Sequence, residues 1–221
     1  MKILVIAPHP DDETLGCGGT LLKHKDQGDQ LFWLIMTKMA IDVGYTEEQM
    51  YRREEEIKTV AEMYHFEKVF SLDFATTTLD TVPRRELIGA VSKVMNEVRP
   101  EIVYLPNRFD IHSDHRITFE AVMGGIKIFR MPSVKRAFSY EVLSETEFSF
   151  PFQTDAFVPN SFSDVSDYVD KKIEVMRVYK GELGAHPFPR SEENIRALAT
   201  LRGSTIGVKY AEGFSVLKEI W

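Results

Sequence analysis

An almost wholly apolar run, Met1 to Ile6, passes directly into Ala7-Pro8-His9-Pro10-Asp11-Asp12-Glu13. Six such residues suit a buried strand, and the acidic turn that follows places one imidazole and three carboxylates at its carboxyl end. Open α/β sheets bind their ligands just beyond the carboxyl ends of strands. A strand opening onto a polar turn and then a helical pattern is the start of such a sheet.

The same alternation continues along the chain. A helical pattern covers about Thr14 to Gln27, the apolar run Leu31–Met36 reads as a strand, and a charged helix spans about Glu47 to Tyr64. Lys68–Leu72 is a third strand, Arg84–Val98 a helix stopped before Pro100, and Glu101–Leu105 a fourth strand. A helix to about Phe129, a strand over Ala137–Val142, a helix over about Val165–Tyr179 and another over Ile195–Arg202 complete the expectation. Strands alternating with helices imply an α/β fold: a Rossmann-like, mostly parallel sheet with helices on both faces. At 221 residues with 43% hydrophobic content, the chain has enough apolar material for one domain over residues 1–221.

The first acidic turn carries metal-binding chemistry. Imidazole nitrogen with carboxylate oxygen suits zinc, whose catalytic sites use three protein ligands and keep one position for water. His9 and Asp12 supply two such ligands, and the adjacent Asp11 is then spare for proton transfer. The alternative is a plain turn in which the aspartates cap the next helix. A second cluster follows the fourth strand: Pro106-Asn107-Arg108-Phe109-Asp110-Ile111-His112-Ser113-Asp114-His115-Arg116. Two strand ends of one parallel sheet converge on one edge, so either His112 or His115 completes a three-ligand site.

Together, His9-Pro10-Asp11-Asp12-Glu13 and His112-Ser113-Asp114-His115 resemble the LmbE/PIG-L family of zinc-dependent N-deacetylases. Arg52-Arg53-Glu54-Glu55, Arg202-Gly203 and Tyr210-Ala211-Glu212-Gly213-Phe214 extend the likeness over most of the chain. The resemblance implies His9, Asp12 and His115 as ligands of zinc or another divalent metal, and Asp11 as general base. It implies His112 as the group that offers charge to the oxyanion, Asp114 as its orienting partner, and Arg53 as a substrate contact. The implied reaction removes an acetyl group from an N-acetylglucosamine-type sugar or glycoconjugate, releasing acetate and a free amine. The alternative is a metal-dependent hydrolase of another small N-acyl compound or of a phosphoester. Family members often carry an aspartate soon after the third strand to bind sugar hydroxyls; here Thr76-Thr77-Thr78 stands in that stretch, with Asp73 and Asp80 as possible substitutes.

Other features narrow the class. A net charge of -7 argues against a nucleic-acid partner, which needs a basic face. No apolar run approaches the roughly 18 residues of a membrane span, and no apolar leader with a small-residue cleavage site precedes the first motif. With a single cysteine, Cys17, the expected setting is the cytoplasm and the expected partner a small N-acetylated molecule. Gly16, Gly18 and Gly19 suggest close helix-to-sheet packing, because the neighbouring carboxylates would repel a dinucleotide pyrophosphate. Cys17 reads as a small buried residue, His24 and His65 as surface or packing residues, and His186, in Gly184-Ala185-His186-Pro187-Phe188-Pro189-Arg190, as part of a plain loop, the alternative being a segment folded over a pocket.

Overall fold

In the computed structural model, which describes residues 1–150 and 152–221, the first apolar run becomes strand β1 (Lys2–Ala7) inside a seven-stranded sheet. Ile3, Val5 and Ala7 join one hydrophobic core, while Leu4 and Ile6 join another on the opposite face. A parallel strand covered on both sides needs apolar residues at every position, which explains the unbroken run.

The parallel neighbours of β1 are β2 (Gln30–Lys38) and β4 (Ile102–Pro106). Beyond them lie β3 (Lys68–Ala75) against β2 and β5 (Arg136–Tyr140) against β4, both parallel. The order β3-β2-β1-β4-β5 reverses direction of winding between β1 and β4. A crevice forms at such a switch point, outside the carboxyl ends of the two strands.

Helices α1 (Asp12–Asp26), α2 (Glu47–Tyr64), α5 (Val169–Met176) and α6 (Glu192–Ile206) contribute to the first core. Helices α3 (Arg84–Val98) and α4 (Ser113–Gly125) contribute to the second. The fold is therefore the expected Rossmann-like α/β arrangement with helices on both faces. Helix α5 is shorter than its pattern suggested, and α4 stops at Gly125 rather than near Phe129.

Two strands were not expected. β7 (Ala211–Glu219) runs antiparallel beside β5, and β6 (Ser161–Asp164) runs antiparallel beside β7 at the sheet edge. Much of both strands is only partly buried, so they carry polar residues and lack an apolar run.

Helix α1 is kinked at Cys17 (φ −144°, ψ 23°). Glu212, from β7, accepts the N–H groups of Gly19 (2.9 Å) and Thr20 (2.8 Å) just past the kink, and Lys172 Nζ meets the same carboxylate at 2.7 Å. The glycines permit this packing: a Cβ on Gly16 would lie 2.2 Å from the Tyr140 ring, and one on Gly19 would lie 2.8 Å from Val165 Cβ. Arg202 pairs with both oxygens of Glu141 at 2.7 and 2.6 Å. The later segments of the family resemblance thus brace α1 and the β5–β7 half of the sheet.

Candidate active site

After β1 the chain turns through Pro8-His9-Pro10 to Asp11, whose φ of 134° lies outside the range that side-chain-bearing residues favour. Such a conformation costs about 1–3 kcal/mol and persists only where surrounding contacts impose it. Here the Asp11 N–H donates to Glu13 Oε2 at 3.0 Å, and Glu13 is itself held by Thr14 Oγ1 (2.5 Å) and the Tyr179 hydroxyl (2.7 Å). Full burial pushes the Glu13 carboxyl up to about 7 despite these donors. The strained turn delivers Asp11 and Asp12 side by side at the start of α1.

The turn after β4 delivers the second group. Asp12 Oδ2 lies 3.4 Å from His9 Nδ1 and 3.3 Å from His115 Nε2. One ligand atom from each of these three residues falls within 4.8 Å of the others. The remaining nitrogen of each ring rests on a second carboxylate: His9 Nε2 is 3.1 Å from Asp114 Oδ2, and His115 Nδ1 is 2.8 Å from Asp110 Oδ2. Imidazoles that bind metal characteristically have their other nitrogen fixed in this way. Two nitrogens and one carboxylate oxygen form a donor set that fits a divalent metal.

The charge balance fits as well. Burial alone would lower the pKa of His9, but Asp114 and Asp12 outweigh it and raise the ring to about 9. His115 is raised in the same sense: burial opposes charge, while Asp12 and Asp110 more than compensate. Three aspartates around two rings create a negative pocket that a cation would neutralise.

A second cluster, His9, His112 and Asp114, also brings three possible ligand atoms together. Its donors are already engaged. Asp114 Oδ2 accepts the Thr77 N–H (2.7 Å) and Oδ1 accepts the Leu79 N–H (3.1 Å), while His112 Nδ1 accepts the N–H of Asp114 at 3.1 Å. The donor set of His9, Asp12 and His115 is the freer one.

These contacts alter two details of the sequence reading. The carboxylate of Asp114 orients His9, and only its backbone N–H reaches His112. Burial, with His9 and His115 close by, lowers the pKa of His112 to about 4. With Nδ1 accepting a hydrogen bond, the neutral ring carries its proton on Nε2 and offers an N–H donor rather than a positive charge.

Asp11 lines a cavity of about 570 Å³ that also contains His9, Asp12 and His112. Burial, then Asp12 and Glu182, push the Asp11 carboxyl well above its usual range, with Arg190 and Arg53 acting in the opposite sense. Arg190 Nη1 lies 3.2 Å from Asp11 Oδ2 and 3.1 Å from Glu182 Oε2. Arg53 forms part of the cavity wall, but its guanidinium is engaged: Nη1 donates to Pro10 O at 2.7 Å, Nη2 pairs with Glu182, and Nε lies 3.1 Å from Glu56 Oε2. Of the two substitutes for the missing aspartate, Asp73 lines the cavity together with Thr76 and Thr77, whereas Asp80 is exposed and lies outside the lining.

Several contributors escaped the sequence reading. Asp110 stands inside the second motif, five residues before the histidine it orients, and that spacing was the available signal. Glu182 and Arg190 come from the irregular segment around His186, for which folding over a pocket is the less favoured reading of the sequence, and no motif marks either side chain. His24, outside the site, takes the packing role that the sequence allowed: it is buried, with Nδ1 2.7 Å from Asp29 and Nε2 2.9 Å from the Tyr104 hydroxyl. Cys17 is fully buried, and burial raises its thiol pKa well above the usual value, in keeping with a packing role.

A Rossmann-like sheet with a His/Asp group able to hold a metal at its switch point defines the class of protein. The sequence pattern of the PIG-L family, described as GlcNAc-PI de-N-acetylase, matches residues 4–125, more than half the chain. The chain belongs to this family. It is 29% identical to the diacetylchitobiose deacetylase of Thermococcus kodakarensis over 232 aligned positions, covering 100% of this chain and 84% of that protein. It is 26% identical to a probable N-acetyl-alpha-D-glucosaminyl L-malate deacetylase 2 of Bacillus anthracis, covering 81% of this chain and 80% of that protein. Among solved structures, the N,N'-diacetylchitobiose deacetylase from Pyrococcus horikoshii superposes with a TM-score of 0.76 at 24% identity, covering 98% of this chain and 83% of that one. This last likeness speaks for the fold.

Proposed function

We propose that this chain is a metal-dependent N-deacetylase that hydrolyses the acetamide of an N-acetylglucosamine-type sugar or glycoconjugate to acetate and a free amine. The observation that carries the reading is the pair of carboxylate-anchored imidazoles flanking Asp12, with Asp11 beside them in an open cavity. Family membership and the named activities of the relatives support the same reaction.

His9, Asp12 and His115 are the residues that would hold the metal, and zinc is the ion their donor set suits best. Such an ion supplies a Lewis acid for the amide carbonyl and lowers the pKa of water. Asp11 takes the proton from the attacking water, aided by a carboxyl whose basicity burial has raised. His112 directs its Nε2–H to the carbonyl oxygen as negative charge grows there. Asp114 holds His9, and Asp110 holds His115, so neither ring reorients during the reaction. Asp11 then returns the proton to the departing nitrogen, closing the balance of the hydrolysis.

The sheet supports a single domain over residues 1–221, because the C-terminal strand β7 pairs directly with β5. Among the described residues no helix is long and apolar enough to cross a membrane. The lone thiol fits a reducing, cytoplasmic setting. The test is a screen for acetate release across N-acetylated sugars and their conjugates, with metal content measured on the same preparation. Acetate released in step with zinc content supports the reading; phosphate released from phosphoesters without acetate release refutes it.

A further inference from the structure

The two carboxylate oxygens of Asp11 have different surroundings. Oδ2 accepts from Arg190 Nη1 at 3.2 Å. Oδ1 has no donor among the described residues and is not sealed from the cavity that Asp11 lines. A carboxylate held by one oxygen presents the other in a defined direction, and direction is what proton transfer in a bound complex requires.

The backbone that presents Arg190 is tied down. Arg190 precedes Ser191, the N-cap of α6, whose hydroxyl accepts the Asn194 N–H at 3.1 Å. Asn194 Nδ2 donates to the carbonyls of Pro189 (3.0 Å) and Phe188 (3.4 Å), and the Arg190 carbonyl accepts the Gly184 N–H at 3.4 Å. The segment before α6 is therefore fastened to the helix start. The side-chain contact with Asp11 also closes a ring. Glu182 Oε2 lies 3.1 Å from Arg190 Nη1, Glu182 Oε1 pairs with Arg53 Nη2, and Arg53 Nη1 donates to the carbonyl of Pro10, the residue before Asp11. The ring grips the turn by its backbone and its side chain together.

An arginine that serves as a brace looks different. Arg202 pairs Nε and Nη2 with the two oxygens of Glu141. In Arg190, Nε is buried without a partner, and both carboxylate contacts run through Nη1. A buried donor left unpaired makes this a poor brace. What the arrangement does secure is the direction of the Asp11 carboxylate.

We propose that Arg190 is a positioning residue which, by holding Oδ2 of Asp11, leaves Oδ1 as the oxygen that takes the proton of the attacking water. The proposal rests on the deacetylase reading and adds to it the group that aims the base.

The test is a double-mutant cycle of Arg190→Ala and Asp11→Asn on metal-replete protein, using the N-acetylated sugar that releases acetate fastest in the screen described above. In the wild-type background, Arg190→Ala should lower kcat by about 10–100-fold with KM little changed, because a base misplaced by about 1 Å loses up to about 10²-fold. In the Asp11→Asn background there is no basic oxygen to aim, so the same substitution should change kcat little; an independent structural role would give the same factor in both backgrounds. Because a single nitrogen carries the contacts, Arg190→Lys should recover part of the loss. Arg190→Gln takes the place of Arg190→Ala if the alanine variant does not fold. Equal losses in the two backgrounds, a raised KM at unchanged kcat, or an Arg190→Lys no better than Arg190→Ala overturns the proposal. If no sugar in the screen releases acetate, the deacetylase reading has failed. Crystal structures of wild type and Arg190→Ala then decide the positioning separately: an Asp11 carboxylate turned from its wild-type direction supports it, and an unmoved one overturns it.

Discussion

Asp110 Oδ2 stands 2.8 Å from Nδ1 of His115, and both side chains are buried. The contact fixes the ring so that His115 Nε2 faces Asp12 at 3.3 Å. Asp110 is itself held in place by Asn107 Nδ2 at 3.1 Å and Thr146 Oγ1 at 2.7 Å.

Replacing this carboxylate should therefore weaken metal binding without removing a ligand. Asp110→Ala is expected to lower metal affinity by about 10–100-fold, whereas His115→Ala should lose the metal almost entirely. Competition with a chromophoric chelator measures both, and wild-type affinity in Asp110→Ala would show that the contact is structural only.

Asp11→Asn should fold and hold its metal while losing most turnover. The amide keeps the shape and removes the basic oxygen, so the effect belongs in kcat more than in KM. Steady-state kinetics on a metal-replete sample check this; near-normal kcat would take Asp11 out of the proton-transfer role.

For His112→Ala the expectation is retained metal and a drop of about 10²–10³ in kcat, the range for loss of one oxyanion donor. Loss of metal from this variant, together with retention in His115→Ala, would exchange the roles of the two histidines.

Glu212→Ala should destabilise the protein by about 3–5 kcal/mol, because it leaves buried Lys172 without its carboxylate, only the Leu15 carbonyl remaining, and two α1 N–H groups without an acceptor. Urea unfolding with metal removed isolates this effect. A loss under about 1 kcal/mol would mean that water takes over the bonds of Glu212.

A separate pH dependence belongs to His24. Burial lowers its pKa in the folded state, with Asp29 only partly opposing this. Its ordinary value is near 6.5, so as pH falls below that point the unfolded chain takes up the proton first and stability declines. The contribution is complete above pH 6.5 and disappears on acidification. The melting-temperature gap between wild type and His24→Gln should accordingly narrow from pH 8 to pH 5; a gap that widens would contradict the depressed pKa.

Much of the scaffold was legible because its signals are local. Helices α2 and α3 match their expected bounds at both ends: Thr46 and Gln49 form a capping box at the start of α2, and Pro100 follows the end of α3. β7 was hidden because Ala211–Glu219 mixes glycine, serine and charged residues with apolar ones, and its place in the sheet is set by contacts with β5 far back in the chain. The same division applies at the site. His9, Asp12 and His115 sit in two short motifs, each read from its own strand end. Glu182 and Arg190 reach the cavity from an irregular segment, and only the folded chain brings them to Arg53 and Asp11.

The buried capping of α1 by Glu212 also has a meaning for the order of synthesis. His9, Asp12 and His115 all precede Arg116, yet the strand that secures the kinked helix bearing Asp12 begins only at Ala211. A nascent chain stopped short of Ala211 owns every proposed metal ligand but lacks the brace behind them. Emergence of β7 then supplies the carboxylate on which the kinked part of α1 rests.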